Sequence, residues 1–123
     1  MTLPDGSVYR EGDIGIRFTI QSISKVISLC KALEVRGMEE AFSRVGMEPS
    51  GEAFNSIVEL DLQPNKPFNP MINSGVIAVE STIIDYVSFD VMLDYARKLC
   101  ADPDITLNRQ VYLSEMETCD RNR

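Results

Sequence analysis

The chain has 123 residues, of which 44% are hydrophobic and 25% charged, and its net charge is −7 with no histidine. These values are typical of one ordinary globular domain. The acidic charge argues against nucleic acid or an anionic membrane surface as a partner. The absence of histidine excludes a Ser-His-Asp triad, a Cys-His pair and imidazole metal ligands. Any catalytic base must therefore be Lys, Tyr, Asp or Glu.

The three cysteines, Cys30, Cys100 and Cys119, form no Cys-x-x-Cys pair. Such a set is typical of free thiols in a reducing cytosol rather than of a disulfide framework. Cys30 falls on an apolar helical stripe, so we expect it to be buried. The N-terminus lacks the basic and apolar regions of a signal peptide, and no apolar run reaches the roughly 18 residues of a membrane span. We expect a soluble, cytoplasmic protein.

The predicted elements begin with a β-hairpin over residues 4–20, because turn residues alternate there with β-branched and aromatic ones. A helix over residues 22–35 follows, and its apolar residues recur at spacings of three and four: Ile23, Val26, Ile27, Cys30 and Leu33. Gly37 is expected to end this helix as its C-cap. A short helix over residues 38–45 and a turn-rich loop come next.

The second half of the chain is predicted to be mainly helical. Residues 57–61 are interpreted as a strand, and three prolines keep residues 64–70 extended. An apolar segment over 75–84 predicts a buried helix. Ser88 is a plausible N-cap for an amphipathic helix ending near Leu99, and a last helix is expected over 108–117. No repeat or linker interrupts the chain, so we expect one domain or part of one.

The junction of the hairpin and the first helix holds Ser22 and Lys25, a Ser-x-x-Lys pair one helical turn apart. A hydroxyl beside an amine, at the positive end of a helix dipole, is the arrangement that a serine nucleophile needs. The spacing alone is a weak signal, because Ser28 and Lys31 repeat it about 240° around the helix. Ser22 is favoured because it opens the helix. The alternative is an N-cap serine beside a solvated lysine.

Four blocks in this order and approximate spacing resemble the serine-dependent glutaminases, and together they span essentially the whole chain. They are Gln21-Ser22-Ile23-Ser24-Lys25-Val26, Arg44-Val45-Gly46-Met47-Glu48-Pro49-Ser50-Gly51, Asn69-Pro70-Met71-Ile72-Asn73-Ser74-Gly75, and Ser114-Glu115-Met116-Glu117-Thr118-Cys119-Asp120-Arg121-Asn122-Arg123. Four blocks in register are far more specific than any one of them.

The resemblance implies an α/β (α+β) fold of the serine β-lactamase and penicillin-binding type, with helices packed on a mixed or antiparallel sheet. Residues 1–123 would be a single partial domain, the N-terminal and middle part of a glutaminase catalytic domain, incomplete at the C-terminus. The implied reaction is the hydrolysis of L-glutamine to L-glutamate and ammonia, without metal or cofactor. Ser22 matches the family's nucleophile and Lys25 its lysine, which serves as the base when its pKa is lowered.

Three further residues match the family's substrate-binding positions, namely Asn73, Glu115 and Asn122. Glu115 suits the α-ammonium of glutamine, and the two asparagines can hydrogen-bond its carboxylate or amide. Ser22 would contact the substrate as well. From the residues alone, Asn73 could instead cap the following helix, and Glu115 could be solvated surface.

The chain also departs from the family. The family's catalytic domain is more than twice as long, and its tyrosines would precede Met1 or follow Arg123. Cys119 replaces a glycine in the last block. We therefore expect a truncated copy that is inactive alone. Its 123 residues can still fold if a partner chain or self-association into a homo-oligomer covers the open apolar face. Two alternatives stay open: an inactive pseudoenzyme or interaction fragment, and another amide hydrolase of β-lactamase type. The chain lacks the Ser-Asp-Asn and Lys-Thr-Gly elements that the second alternative would require.

Overall fold

The computed structural model describes residues 1–51, 53–54 and 65–118. A 3₁₀ turn, Gln21–Ile23, leads into the first of the four helices that these described residues form. The helices are α1 (Ser24–Ala41), α2 (Asn73–Glu80), α3 (Phe89–Cys100) and α4 (Arg109–Thr118). The described residues form no strand beyond one isolated antiparallel bridge between Thr2 and Val8.

The paired strands of the hairpin predicted over residues 4–20 are wrong, although the chain turns at both predicted places. The turn at Asp5 forms. Asp5 Oδ1 accepts the Ser7 hydroxyl at 2.5 Å and the Ser7 backbone N–H at 2.9 Å, and these two bonds hold the pKa of Asp5 below its usual value. Residues 12–16 then form local turns, with Ile16 N donating to Asp13 O. A strand needs a partner for its ladder of hydrogen bonds, and in the described chain this segment has none.

Helix α1 is divided at Gly37, close to where the sequence predicts an end. Gly37 has φ 75° and ψ 173°, a conformation that residues with a Cβ rarely adopt, and helical geometry resumes at Met38. The short second helix is therefore confirmed, although it is continuous with α1 and ends at Ala41 rather than Val45.

The core lies where α1 meets α2 and α3. Its fully buried side chains are small or β-branched: Ala32, Ala41, Val45, Val79 and Ile83. Small residues on α1 let the helix axes approach closely, so the buried faces of α2 and of the turn after it can pack directly on α1. This packing fixes the N-terminus of α2 against the first turns of α1, where the candidate site lies.

Helix α2 is shorter than the apolar segment over 75–84 predicts. Near its end, two side-chain hydroxyls donate hydrogen bonds to backbone carbonyls. Ser81 Oγ donates to Ala78 O and Thr82 Oγ1 donates to Val79 O, both at 2.7 Å. Serine and threonine hydroxyls compete in this way with regular helical bonding. Residues 81–86 continue as turns, and they still bury Ile83.

The N-cap predicted for α3 is confirmed, and α4 has a capping bond that was not predicted. Ser88 precedes α3, and its Oγ accepts the N–H of Val91 at 3.4 Å. Asn108 precedes α4, and its Oδ1 accepts the N–H of Val111 at 3.1 Å. The predicted burial of Cys30 is wrong, because its side chain is exposed. The predicted strand over 57–61 and Pro64 lie outside the described residues.

Gly75 is required by a close backbone approach. A Cβ at this position would overlap the carbonyl oxygen of Asn69. We expect Gly75→Ala to lower the free energy of unfolding by about 3 kcal/mol, because the obstacle is backbone and the overpacking cannot relax by a rotamer change. Gly15→Ala is the matched control, since nothing lies within 4 Å of its added Cβ, and it should change stability by less than about 0.5 kcal/mol. Urea unfolding measures both, and equal stabilities would contradict the close approach.

Candidate active site

Lys25 occupies the first turn of α1, but its side chain points into the protein. Only 7% of the residue is exposed. Its Nζ donates to Met71 O at 3.0 Å and to Asn73 Oδ1 at 2.7 Å, so the amine reaches the segment that opens α2. Desolvation by burial lowers the pKa of Lys25 from its ordinary value of 10.5. The alternative of a solvated lysine is therefore wrong.

The hydrogen bonds of Lys25 define what its neutral amine can do. A neutral amine has two N–H donors and one lone pair, and two acceptors already engage the amine. Once both N–H groups point to Met71 O and Asn73 Oδ1, the lone pair is the only group left for a third partner. An amine with a lowered pKa and a directed lone pair is suited to accept a proton from a hydroxyl.

Asn73 is the first residue of α2, yet its side chain does not cap the helix. The N-cap position is Ile72, and no side-chain cap bond forms there. The backbone N–H of Asn73 donates to Phe54 O at 2.9 Å, while its Oδ1 accepts from Lys25. The helix-cap alternative for Asn73 is therefore wrong. Because Oδ1 faces the lysine, the Nδ2 group is left as a donor for another ligand.

Ser22 lies in the 3₁₀ turn, three residues before Lys25, and is exposed. The N-cap of α1 is Ile23 and no side chain caps the helix, so the alternative of a capping serine is not realised. Across the described part of the chain, Ser22 Oγ makes no hydrogen bond. The hydroxyl is thus accessible at the entry of a helix whose dipole favours developing negative charge.

The backbone next to Ser22 is strained. Gln21 has φ 43°, in the left-handed region that non-glycine residues rarely occupy. The turn is held by Ser24 Oγ, which donates to Gln21 O at 2.7 Å, and by Ile23 N, which donates to Ile20 O at 2.8 Å. Such strain persists only where surrounding bonds impose it, and it is frequent beside reactive groups.

The second Ser-x-x-Lys pair serves different contacts, as the helical rotation predicts. Ser28 is buried, and its Oγ donates to Glu80 Oε1 at 2.7 Å. Lys31 Nζ pairs with Glu34 at 3.1 Å and lies 4.7 Å from the centroid of the Tyr95 ring. These contacts tie α1 to the end of α2 and to α3, so this pair supports packing rather than a shared cleft.

The remaining predicted site residues lie toward the C-terminus. Glu115 is an exposed residue of α4. Asn122 and Cys119 lie outside the described residues. Of the five predicted site residues, the structure joins Lys25 and Asn73 directly and sets Ser22 one turn away along the chain. Within residues 1–51, 53–54 and 65–118, no cluster of three acidic or cysteine side chains could hold a metal ion.

Two contributions to the site were not predicted from the sequence. The carbonyl of Met71 is an acceptor for Lys25, and every residue type has such a carbonyl, so the sequence carries no signal for it. The positive φ of Gln21 is likewise not indicated by the sequence, because glutamine is not a residue type that favours the left-handed region.

Comparisons with known proteins agree along the entire chain. The Glutaminase family profile matches residues 1–123. Glutaminase 2 of Clostridium perfringens is 50% identical in an alignment 123 residues long. The alignment covers 97% of this chain and 40% of that protein. The glutaminase of Alkaliphilus oremlandii is 48% identical, with the same coverage.

Solved structures give the same result. The crystal structure of a probable glutaminase from Bacillus subtilis has a TM-score of 0.87 at 38% identity, covering 98% of this chain and 40% of that one. A Bacillus glutaminase solved in 4.3 M NaCl has a TM-score of 0.88 at 39% identity, covering 98% of this chain and 42% of that one. The chain spans about 40% of the length of the curated relatives that it matches. A profile match over all 123 residues, with half of them identical in a named relative, shows that the chain belongs to the glutaminase family.

Proposed function

We propose that this chain carries the nucleophilic half of a glutaminase active site, in which Ser22 attacks L-glutamine and Lys25 accepts the serine proton. The buried and doubly hydrogen-bonded amine of Lys25 is the observation that supports this most directly. Burial lowers the pKa of Lys25, and its two acceptors direct the remaining lone pair. Membership of the glutaminase family is the reason for proposing L-glutamine as the substrate.

The proposed reaction has two halves, joined by an ester on Ser22. Ser22 Oγ attacks the side-chain amide carbon of glutamine while Lys25 takes the hydroxyl proton. Lys25 then gives that proton to the amide nitrogen, the C–N bond breaks, and ammonia leaves. Water attacks the γ-glutamyl ester with Lys25 again as base, and the proton returns to Ser22 Oγ as glutamate departs. The Ser22 N–H at the helix entry is suited to be one donor to the oxyanion.

Substrate recognition is proposed for three residues. Asn73 offers its Nδ2 donor beside Lys25, where it can bind the carboxylate or amide of glutamine. Glu115 provides a carboxylate for the α-ammonium group, and Asn122 provides a second amide. These two roles come from the family resemblance.

Further protein is proposed to cover part of the surface of this chain. Large apolar side chains are exposed in the described residues, including Phe18 at 78% and Ile84 at 73%. Surface of this kind is commonly covered by further protein, which favours a homo-oligomer or packing against a β-lactamase-type sheet. In the described part of the chain, no helix has the length and apolarity needed to cross a bilayer. We propose a cytoplasmic location from the sequence.

A second candidate, an inactive interaction module, is favoured by the large apolar side chains exposed in the described residues. A chimaera distinguishes the two. Residues 1–123 replace the matching segment of the Clostridium perfringens glutaminase, and ammonia release from L-glutamine is measured for the chimaera and for the chain alone. We expect an active chimaera that prefers glutamine over penicillin. A folded chimaera that releases no ammonia would contradict the proposed function and favour the interaction module.

A further inference from the structure

Asn69 lies outside the residues assigned so far, yet both ends of its side-chain amide are hydrogen-bonded to backbone. Its Oδ1 accepts the N–H of Met71 at 2.9 Å, and its Nδ2 donates to Glu48 O at 3.0 Å. One short side chain therefore joins the segment before α2 to the loop that follows α1. Both partners are main-chain groups, so these bonds determine the path of the backbone.

The same region has further backbone contacts. Gly46 N donates to Pro67 O at 2.8 Å, and Glu48 N donates to Phe68 O at 3.0 Å. The Asn69 carbonyl lies against Gly75 so closely that a Cβ there could not be accommodated. Asn69 is thus clamped on one side by the loop and on the other by α2.

The backbone that Asn69 holds is the one that receives Lys25. Met71 donates its N–H to Asn69 Oδ1 and accepts Lys25 Nζ at its carbonyl. Asn73, the other acceptor of Lys25, follows two residues later. The position of both acceptors therefore depends on the turn that Asn69 closes, because an Asn side chain that bonds the N–H two residues on fixes such a turn.

We propose that Asn69 is a positioning residue that holds the Met71 carbonyl and the start of α2 in place to receive the buried amine of Lys25. Its importance for catalysis rests on the proposed function, whereas its effect on Lys25 does not. Loss of the Asn69 side chain frees the turn, separates the acceptors from the amine and admits water. Because desolvation is what lowers the pKa of Lys25, hydration moves that pKa back up.

The test measures Lys25 directly in the 123-residue chain. The sequence has four lysines, so a chain labelled with ¹³C at lysine Cε gives few signals, and Lys25→Arg assigns the relevant one. We expect the pKa of Lys25 to lie below 10.5 in the wild type and to rise toward 10.5 in Asn69→Ala. Asn69→Ser should restore much of the wild-type value, since a serine hydroxyl also accepts the N–H two residues on, although more weakly.

Asn108→Ala is the matched control, because it also removes an asparagine Oδ1 that accepts a backbone N–H, at the start of α4. It should leave the pKa of Lys25 unchanged. Thermal unfolding of each variant shows whether a raised pKa of Lys25 comes from a displaced amine or from loss of the fold. Asn69→Ser serves as the folded comparison if Asn69→Ala unfolds. Two results would overturn the proposal. One is a wild-type pKa of Lys25 in folded Asn69→Ala, and the other is a pKa of Lys25 that is raised equally in Asn69→Ser and in Asn108→Ala.

Activity separates the two proposals. In the chimaera, Asn69→Ala should lower kcat for glutamine about tenfold with a smaller change in KM, because a misplaced base slows chemistry more than binding. An inactive wild-type chimaera together with a raised pKa of Lys25 in Asn69→Ala would contradict the proposed function and leave the positioning role intact. An active chimaera in which Asn69→Ala changes neither that pKa nor kcat would support the proposed function and contradict the positioning role of Asn69.

Discussion

Replacing Ser22 by alanine is expected to reduce ammonia release from L-glutamine by at least about a thousandfold in the chimaera. The Ser22 hydroxyl is the only protein group that bonds to the substrate carbon in the proposed reaction. Its loss prevents the ester from forming, so neither half of the reaction can proceed. Stability should hardly change, because Ser22 is exposed and its hydroxyl bonds nothing in the described part of the chain. Steady-state ammonia assays with urea unfolding measure the two effects.

Ser43→Ala is the control for this change. Ser43 is also an exposed serine, and its Oγ donates to Glu40 O at 2.8 Å. It lies after α1, away from the 3₁₀ turn, and its loss should leave activity within about twofold of the wild type. If Ser22→Ala retained the rate of Ser43→Ala, another nucleophile would have to be sought.

Lys25→Met is the second large effect. Loss of the base should lower kcat by about 10²–10⁴-fold while the side-chain volume is largely preserved. Lys66→Met is the matched control, because Lys66 Nζ also donates to a backbone carbonyl, that of Phe42, at 2.9 Å. We expect the control to retain activity. Equal losses in both variants would mean that the role of Lys25 is structural.

Burial of Lys25 also predicts how stability depends on pH. The folded protein releases the Lys25 proton at a lower pH than the unfolded chain, whose lysine titrates near 10.5. Over the interval between these two values the unfolded state binds more protons, so the free energy of unfolding rises with pH. The wild type should therefore gain stability relative to Lys25→Met across that interval. Urea unfolding from pH 7 to 10.5 measures this difference, and a flat difference would show that the amine is not desolvated.

Much of the helical part of the fold could be predicted from local sequence signals. Ser88 is predicted to cap the amphipathic helix, and its Oγ accepts the N–H of Val91 at the start of α3. Gly37 marks a break that requires a positive φ. These features depend on short-range bonding and on the conformations that individual residues permit, which a single sequence reveals.

The errors arise where tertiary partners decide the structure. Residues 4–20 have strand-forming composition, but in the described chain only Thr2 and Val8 form a bridge. Cys30 fits an apolar helical period, yet it is exposed among the elements that the structure describes. Periodicity identifies a face that can be buried, whereas burial itself needs an element that packs on that face.

The candidate site was predictable to a different degree for each residue. Ser22 and Lys25 are singled out by their spacing and by their place at the start of a helix, and the family resemblance strengthens that prediction. Asn73 is identified by the resemblance, and its contact with Lys25 is a finding of the structure. Asn69 had a local signal, since an Asn-Pro pair favours a turn. Its link to Lys25 passes through the Met71 backbone, and no sequence pattern indicates such a link.

The central claim is that Ser22 becomes covalently attached to the glutamine side chain with Lys25 as its base. Mass spectrometry tests it after the chimaera is incubated with a glutamine analogue bearing an electrophilic carbon at the carboxamide position and then digested. We expect an adduct on the peptide that contains Ser22, absent in Ser22→Ala and formed at least about a hundredfold more slowly in Lys25→Met. An adduct on another residue, or formation at the wild-type rate in Lys25→Met, would contradict it.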